Sequence, residues 1–316
     1  MYSIGIDVGG TNLKVGLLDE NSSLLAHFQK PLFFTTEEAF VATLVAMSQE
    51  LLERQSVPQE QIASVGIGFP GAVDVRLGRV VALPNIPVRD LPVVEMFQRQ
   101  WQIPVHLGND ADCAAWGEYY CSRGERPDSL VLVTIGTGIG TGIILNGKIW
   151  SGYRSCAGEG GHMVIIRNGQ LCGCGRHGCW EQYASATALI RQTCEAMERH
   201  PESLLWQVAN GDLSAVNGKT AFDAKQLGDP TAACVLDQYI GYLGEGITNL
   251  FNILQPELVV LGGGVSLAKD EDLLHPLRDY VEKRCYGGYS CIRRAALGNQ
   301  AGVIGAGLLG LQTAGE

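Results

Sequence analysis

Ser3-Ile-Gly-Ile-Asp-Val-Gly-Gly-Thr-Asn-Leu-Lys-Val-Gly-Leu-Leu-Asp19 sets two β-forming runs around a Gly-Gly-Thr turn, a pattern that predicts a hairpin rather than a strand feeding a helix. The plan returns later in the chain. Leu130-Val-Leu-Val-Thr-Ile leads into a Gly/Thr-rich turn over 136–142 and a second apolar run that ends at Ile149. Two such hairpins predict two related lobes, each built on a sheet that opens with a glycine-turned hairpin. Between them the pattern predicts a helix over 36–55, a strand over 62–69 ending in Gly-Phe-Pro-Gly71, a short strand over 105–107 and a helix over 111–122. Beyond the second hairpin come helices near 181–199 and 231–254, a strand over 258–261 running into three glycines, and a closing helix within 298–311. With no low-complexity linker, the hinges are placed in ordinary loops near Asp110 and Gly298.

The composition narrows the function. The 316 residues are enough for one very large domain or two joined ones, and 46% hydrophobic against 18% charged residues excludes a disordered chain. Acidic residues outnumber basic ones, 33 to 23, so a broad surface for a nucleic-acid backbone is not expected. One small anion met by backbone N–H groups and a metal remains compatible with that charge. The opening residues carry no leader pattern and no apolar run is long enough for a membrane span, so a soluble cytoplasmic protein is expected. Of the ten cysteines, Cys172, Cys174 and Cys179 fall within eight residues, which in a reducing compartment suggests metal before disulfide.

Three glycine-rich turns stand at the ends of apolar strands, at 9–11, 136–142 and 262–264, where backbone can approach a ligand closely and aim N–H groups at phosphate. Tight hairpin turns are the simpler explanation of any one of them. The pattern G-x-x-x-x-G-K-S/T is absent, and the single G-x-G-x-x-G, at Gly305, Gly307 and Gly310, lies too near the chain end for a βαβ unit to follow. Asp7, beside the first turn, is placed to hold hydrated Mg2+ against nucleotide phosphates, or to cap the turn. In Asn109-Asp110-Ala-Asp112 one acid can cap the helix while the other faces a ligand. His162 with the three clustered cysteines would close a four-coordinate Zn2+ site, with His177 as a rival ligand and buried unligated thiols as the alternative. Glu159 and Glu181 bracket that loop and could bind the hydroxyls of a polyol.

These motifs together resemble the ROK (repressor, open reading frame, kinase) sugar kinases, and within them the bacterial glucokinases. The likeness runs through DVGGT at 7–11, GFPGAVD at 68–74, LPN ending at 85, NDAD at 109–112, IGTGIGTG at 135–142, EGGH at 159–162, CGCGRHGCWE at 172–181 and LGGGVS at 261–266. The resemblance implies an α/β, two-lobed actin/hexokinase-like (ribonuclease H-like) fold with a ligand cleft between lobes. On this reading 1–110 plus 300–316 form the small lobe, and 111–299 the large lobe carrying the zinc loop. It further implies ATP and Mg2+, Asp110 as the base for the sugar hydroxyl, and sugar contacts from Gly71, Asn85, Asn109, Asp110, Glu159, His162 and Glu181. Asp7, Gly9, Gly10, Thr11, Lys14, Thr137, Gly138 and Gly263 match nucleotide positions, and His162, Cys172, Cys174 and Cys179 match a structural Zn2+ site. A bulky residue at Gly10 or Gly138 is then expected to weaken ATP binding before sugar binding. Asp112 departs from the NDAN common in the family, and no winged helix precedes the first strand, so the DNA-binding branch is not expected. Glucose is the expected substrate, and N-acetylglucosamine, N-acetylmannosamine, allose and fructose kinases, or a sugar sensor without turnover, are the alternatives. A homodimer, or a multiple of it, is the oligomer the resemblance suggests.

Overall fold

The computed structural model describes residues 1–83, 88–121 and 126–312. Its strands are β1 (Tyr2–Val8), β2 (Asn12–Leu18), β3 (Leu24–Pro31), β4 (Ile62–Phe69), β5 (Ala72–Asp74), β6 (Arg79–Ala82), β7 (Arg89–Leu91), β8 (Val105–Asn109), β9 (Ser129–Ile135), β10 (Ile139–Leu145), β11 (Lys148–Ile149), β12 (Leu258–Gly262) and β13 (Ile292–Arg294). The helices are α1 (Glu37–Gln55), α2 (Val93–Gln100), α3 (Asp110–Tyr120), α4 (Glu181–Ala184), α5 (Ala186–Arg199), α6 (Leu205–Val208), α7 (Thr220–Gln226), α8 (Pro230–Leu254), α9 (Leu274–Glu282), α10 (Ala301–Gly307) and α11 (Leu309–Gln312). The chain divides into two compact units, one of residues 1–130, 142–158 and 296–316, the other of 131–141 and 159–295. These borders differ from the expected change at 110/111, because α3 packs on α10 inside the first unit.

The first unit holds a five-stranded sheet in the order β3-β2-β1-β4-β8. β1 and β2 form the expected antiparallel hairpin, while β4 and β8 run parallel to β1. Alternation along β1 sends Ile4, Ile6 and Val8 into one core with Phe40, Val41 and Leu44 of α1. Thr36 starts α1 by accepting a hydrogen bond from the Ala39 N–H on its side-chain oxygen, and Ser56 ends it in the left-handed region. A small antiparallel sheet, β5-β6-β7, follows β4 and was not foreseen from its short, mixed-polarity strands.

Along the sheet, Gly16, Gly5 and Gly66 are register partners on β2, β1 and β4. Helix α10 lies in that row at backbone contact. A Cβ on Gly5 would stand 1.9 Å from the Val303 carbonyl oxygen, and one on Gly66 1.7 Å from that of Ala306. On the helix itself, a Cβ on Gly305 would stand 1.6 Å from the Cys113 carbonyl oxygen of α3. The Trp116 indole N–H donates to the Leu308 carbonyl at 3.1 Å, and the buried Glu118 carboxylate accepts from the Ala296 and Leu297 N–H groups at 2.9 and 2.7 Å. Sheet, α10 and α3 are thereby locked into one stack.

The second sheet has the order β11-β10-β9-β12-β13, and β12 pairs with β13 in parallel. In the second unit α8 begins with Asp229 as cap and Pro230 in its first turn, an N-terminal signature that the sequence shows plainly. The buried Trp180 ring rests on Gly246 of α8, where a Cβ would come within 2.0 Å of it. The Tyr239 hydroxyl donates to the Ala184 carbonyl at 2.8 Å, so α8 holds α4 from behind.

Gly66→Ala is expected to cost about 3 kcal/mol or more, the upper range for overpacking, because the opposing atoms belong to a helix backbone that no rotamer change can move. Gly16→Ala, whose Cβ meets the Leu24 and Val303 side chains at 2.7 and 3.0 Å, should cost less. Urea denaturation midpoints of the two variants against the parent provide the comparison.

Candidate active site and metal centre

In the first unit the β1–β2 turn presents 9–11, and the Gly9 N–H closes it by donating to the Asn12 carbonyl at 2.8 Å. Gly9 therefore shapes the turn with its own N–H already committed. Asp7 and Lys14 are register partners across the hairpin, and the Lys14 ammonium donates to Asp7 Oδ2 at 3.1 Å and to the Asn299 carbonyl at 3.3 Å. Lys14 thereby neutralises Asp7 within the hairpin. Gly302, in the first turn of α10, keeps that carboxylate clear, since a Cβ there would lie 3.0–3.2 Å from its atoms.

At the end of β8, Asn109 is the N-cap of α3, and its Oδ1 accepts from the Ala111 N–H at 2.8 Å and from the Asp112 N–H at 3.3 Å. Neither acid of the motif is the cap, a correction to the expectation that one of them would be. Asparagine fills the position because its amide also donates, from Nδ2 to the Gly71 carbonyl at 3.0 Å, which fixes the left-handed Gly71. Asp110, whose Oδ1 accepts from the Ala111 N–H at 2.9 Å, stands half-buried on the first turn, while Asp112 is only 5% exposed. Burial raises the Cys113 thiol well above its usual pKa, and the carboxylates of Asp112, Asp7 and Asp110 add to the effect. Residues more than a hundred positions apart, Asp7 and Asp110, thus bear on one buried sulfur. Nothing in the sequence singles out that cysteine, which sits under Gly68 and Gly108, whose added Cβ atoms would come within 3.1 and 2.8 Å of its Sγ.

In the second unit the β9–β10 turn closes through the Gly136 N–H to the Gly138 carbonyl at 3.0 Å and is tied to α5 by the Ala186 N–H to the Gly136 carbonyl at 2.9 Å. Thr137 is exposed at its tip. A Cβ on Gly138 would stand 2.6 Å from Glu181 Oε2, so this turn and the second proposed sugar carboxylate share a wall. Gly263, at φ +83°, lies with its would-be Cβ 2.3 Å from the Ile135 carbonyl oxygen, which by itself requires glycine there.

The cysteine loop is a tight hairpin with Gly175 and Gly178 at positive φ, bridged at Leu171–His177 and Val164–Cys179. It returns Cys172, Cys174 and Cys179 to His162, and one ligand atom from each lies within 4.8 Å of the others. Cys172 Sγ is 3.6 Å from His162 Nδ1, and Cys174 Sγ is 3.6 Å from Cys179 Sγ. Tetrahedral zinc with thiolate and imidazole ligands has edges of roughly 3.5–3.8 Å, so these four residues fit the ion. The rival His177 is exposed and outside the cluster. The His162 Nε2 faces Glu159 Oε2 at 4.0 Å, and Glu181 Oε1 lies 2.9 Å from Cys172 Sγ and 3.6 Å from His162 Nδ1. Burial pushes the Cys172 thiol up to about 12, and its proton is directed at Glu181. Burial also raises Cys179, whereas the Arg176 backbone N–H holds Cys174 below its usual value.

Among the expected sugar residues, Gly71, Asn109 and Asp110 lie in the first unit, and Glu159, His162 and Glu181 in the second. Asn85 lies outside the described residues.

A profile of the ROK family matches residues 3–313. The glucokinase of Halalkalibacterium halodurans is 36% identical over 314 residues, 98% of this chain and 94% of that protein. Among solved structures, a ROK family glucokinase from Streptomyces griseus in complex with glucose and AMPPNP has a TM-score of 0.82 at 34% identity and covers 98% of this chain and 99% of its own. The ROK hexokinase from Thermus thermophilus has a TM-score of 0.81 at 33% identity, with both chains covered in full.

Elemental analysis of the purified protein is expected to find about one Zn2+ per chain, as tetrahedral closure by four residues requires. A Cys179→Ser variant should lose it. Metal-free protein that keeps its thermal stability would return these thiols to a packing role.

Proposed function

The chain belongs to the ROK family, and from that membership we propose that it is an ATP-dependent hexokinase that phosphorylates D-glucose at its 6-hydroxyl to give glucose 6-phosphate. The full-length likeness to a glucokinase solved with glucose and AMPPNP carries the reading. The residues of each unit support it separately.

Phosphoryl transfer asks a protein chiefly for positioning and charge neutralisation. In this reading Asp110 is the general base. Its carboxylate takes the proton of the sugar hydroxyl as that oxygen bonds to the γ-phosphorus and ADP leaves. Asn109, by capping α3 and holding the Gly71 carbonyl, fixes the direction from which Asp110 acts. Gly71, Asn85, Asn109, Glu159, His162 and Glu181 hold the hexose. Gly10, Thr11, Thr137, Gly138 and Gly263 line the nucleotide, with Gly9 shaping the first turn and Lys14 bearing on the phosphates through Asp7. Mg2+, when bound, neutralises phosphate charge, and Asp7 is the carboxylate that would anchor it. Zn2+, when bound, holds the loop that carries Glu159 and Glu181. A homodimer or a multiple of it, and a cytoplasmic location, belong to the same proposal. Among the described residues no helix is long and apolar enough to cross a membrane.

A coupled ADP-release assay over glucose, fructose, allose, N-acetylglucosamine and N-acetylmannosamine should give the highest kcat/KM with glucose, and no turnover on any sugar would leave the sensor reading. Asp110→Asn is expected to lower kcat about 100-fold or more with the melting temperature kept, as for loss of a general base. Asp112→Asn should act on stability instead, since that side chain is buried. The Gly138 expectation also changes with the structure. Gly138→Ala should raise KM for the hexose together with KM for ATP, because the added methyl presses on Glu181, and a rise confined to ATP would contradict the shared wall.

A further inference from the structure

Behind the metal loop, within the second unit, lies a pocket of about 620 Å3, a size in the range of small-molecule sites. It opens between α5 and the first turns of α8, and none of the residues proposed for sugar, nucleotide or metal lines it. Gln192, 9% exposed, is in its wall. The Gln192 Nε2 donates to the Tyr183 carbonyl at 2.8 Å, which orients the amide and leaves Oε1 buried without a partner. A buried acceptor in that state calls for a donor. Tyr183 and Tyr242, with ring centroids 5.0 Å apart, supply an aromatic wall. At the rim, Arg191 donates to Glu195 at 2.8 Å and His200 faces Glu202 at 3.2 Å, and with Arg199 the formal charges of the two arginines and two glutamates cancel.

We propose that this pocket is a second ligand site and that it takes a neutral polyhydroxylated ring, a free hexose, held by the rim groups and the aromatic wall, with Gln192 Oε1, sealed from solvent in the free protein, accepting from a hydroxyl once the amide opens toward the pocket. Planar guanidinium and carboxylate groups match pairs of adjacent hydroxyls, each of which both donates and accepts. The aromatic wall suits the C–H face of a sugar ring. The cancelled rim charge selects a neutral sugar over a phosphorylated one. The occupant also has a route to the chemistry. Arg191 donates to the Gln182 carbonyl at 2.7 Å and Gln192 to that of Tyr183, so the pocket wall grips α4, whose first residue is Glu181. Free hexose in this pocket would thereby tune the Glu181 side of the substrate site. That regulatory consequence rests on the proposed kinase reading, whereas binding in the pocket does not.

Cys234, exposed and in the pocket wall, makes the test direct. The intact protein, without nucleotide, is alkylated with iodoacetamide and each thiol is followed by peptide mass spectrometry, with exposed Cys291 as the internal control. Glucose at ten times its dissociation constant should slow Cys234 alkylation about tenfold by simple occupancy and leave Cys291 unchanged. Glucose 6-phosphate should protect less. Equilibrium dialysis with labelled glucose should show one equivalent per chain fewer for Cys234→Trp, which fills the pocket, than for the parent. No protection by glucose, or equal binding by parent and variant, would overturn the site. Stronger protection by glucose 6-phosphate would overturn the neutral-ligand assignment. A Cys234 thiol that becomes unreactive with rising protein concentration and no sugar would overturn the proposal by showing a second copy seated there. Turnover is not read in any arm, so failure of the kinase reading and failure of this one are distinguishable.

Discussion

The contact of α10 with the bare backbone of the first sheet is the constraint on which the first unit depends. Side chains are missing at Gly5 and Gly66 so that a helix can approach to a distance no alanine permits, and Gly305 repeats the arrangement toward α3. A packed interior normally tolerates volume-conserving exchange, but a backbone-to-backbone seat has no volume to exchange. The chemistry inherits this rigidity. Asp7 lies against the first turn of α10 and Asp110 begins α3, so both carboxylates are set by the same helix, and both bear on the Cys113 sulfur beneath them. A site that works by positioning gains most from elements that cannot drift.

The second unit reaches order by another route. Its cysteine hairpin has almost no apolar content of its own, and Gly173, Cys174, Gly175, Arg176 and His177 are all exposed. Such a loop needs a cross-link in place of a core. The proposed zinc, on His162, Cys172, Cys174 and Cys179, would supply one, and the link between Cys172 and Glu181 shows what it would govern. The thiol proton is directed at the carboxylate at 2.9 Å. A metal that takes the thiolate removes that proton and frees Glu181 for other partners.

Much of this was legible in the sequence. Both hairpins, the helices over 37–55 and 230–254, the strand after the second helix and the crowding of Cys172, Cys174 and Cys179 follow from periodicity, caps and cysteine spacing. Membership of the ROK family followed from the ordered motifs. What escaped reading depends on contacts between distant segments. Nothing local marks Gly5 and Gly66 as the seat of a helix 298 and 240 residues further on, because a strand glycine reads equally as a bulge or a turn. The helix cap went to Asn109 rather than to an aspartate because the amide serves two masters, and only the approach of Gly71 reveals the second. The ion pair of Lys14 with Asp7 is set by the hairpin register, which no local signal announces. Small strands such as β5–β7 escaped because three or four residues of mixed polarity carry no period.

The 2.6 Å separation between a Cβ at position 138 and the Glu181 carboxylate also bears on how this enzyme could be redesigned. Selection for another phosphoryl donor would turn first to the glycine turns proposed to line the nucleotide, since they are small and free of proposed catalytic groups. At this turn the choice is not independent, because any added bulk is transmitted to a carboxylate proposed to read the sugar. On the proposed roles of these two residues, donor preference and sugar preference are joined by steric exclusion, and a variant library that varies position 138 alone would sample both at once. A change in one that spares the other has to enter through the first unit, at the β1–β2 turn, or be accompanied by a compensating change at 181.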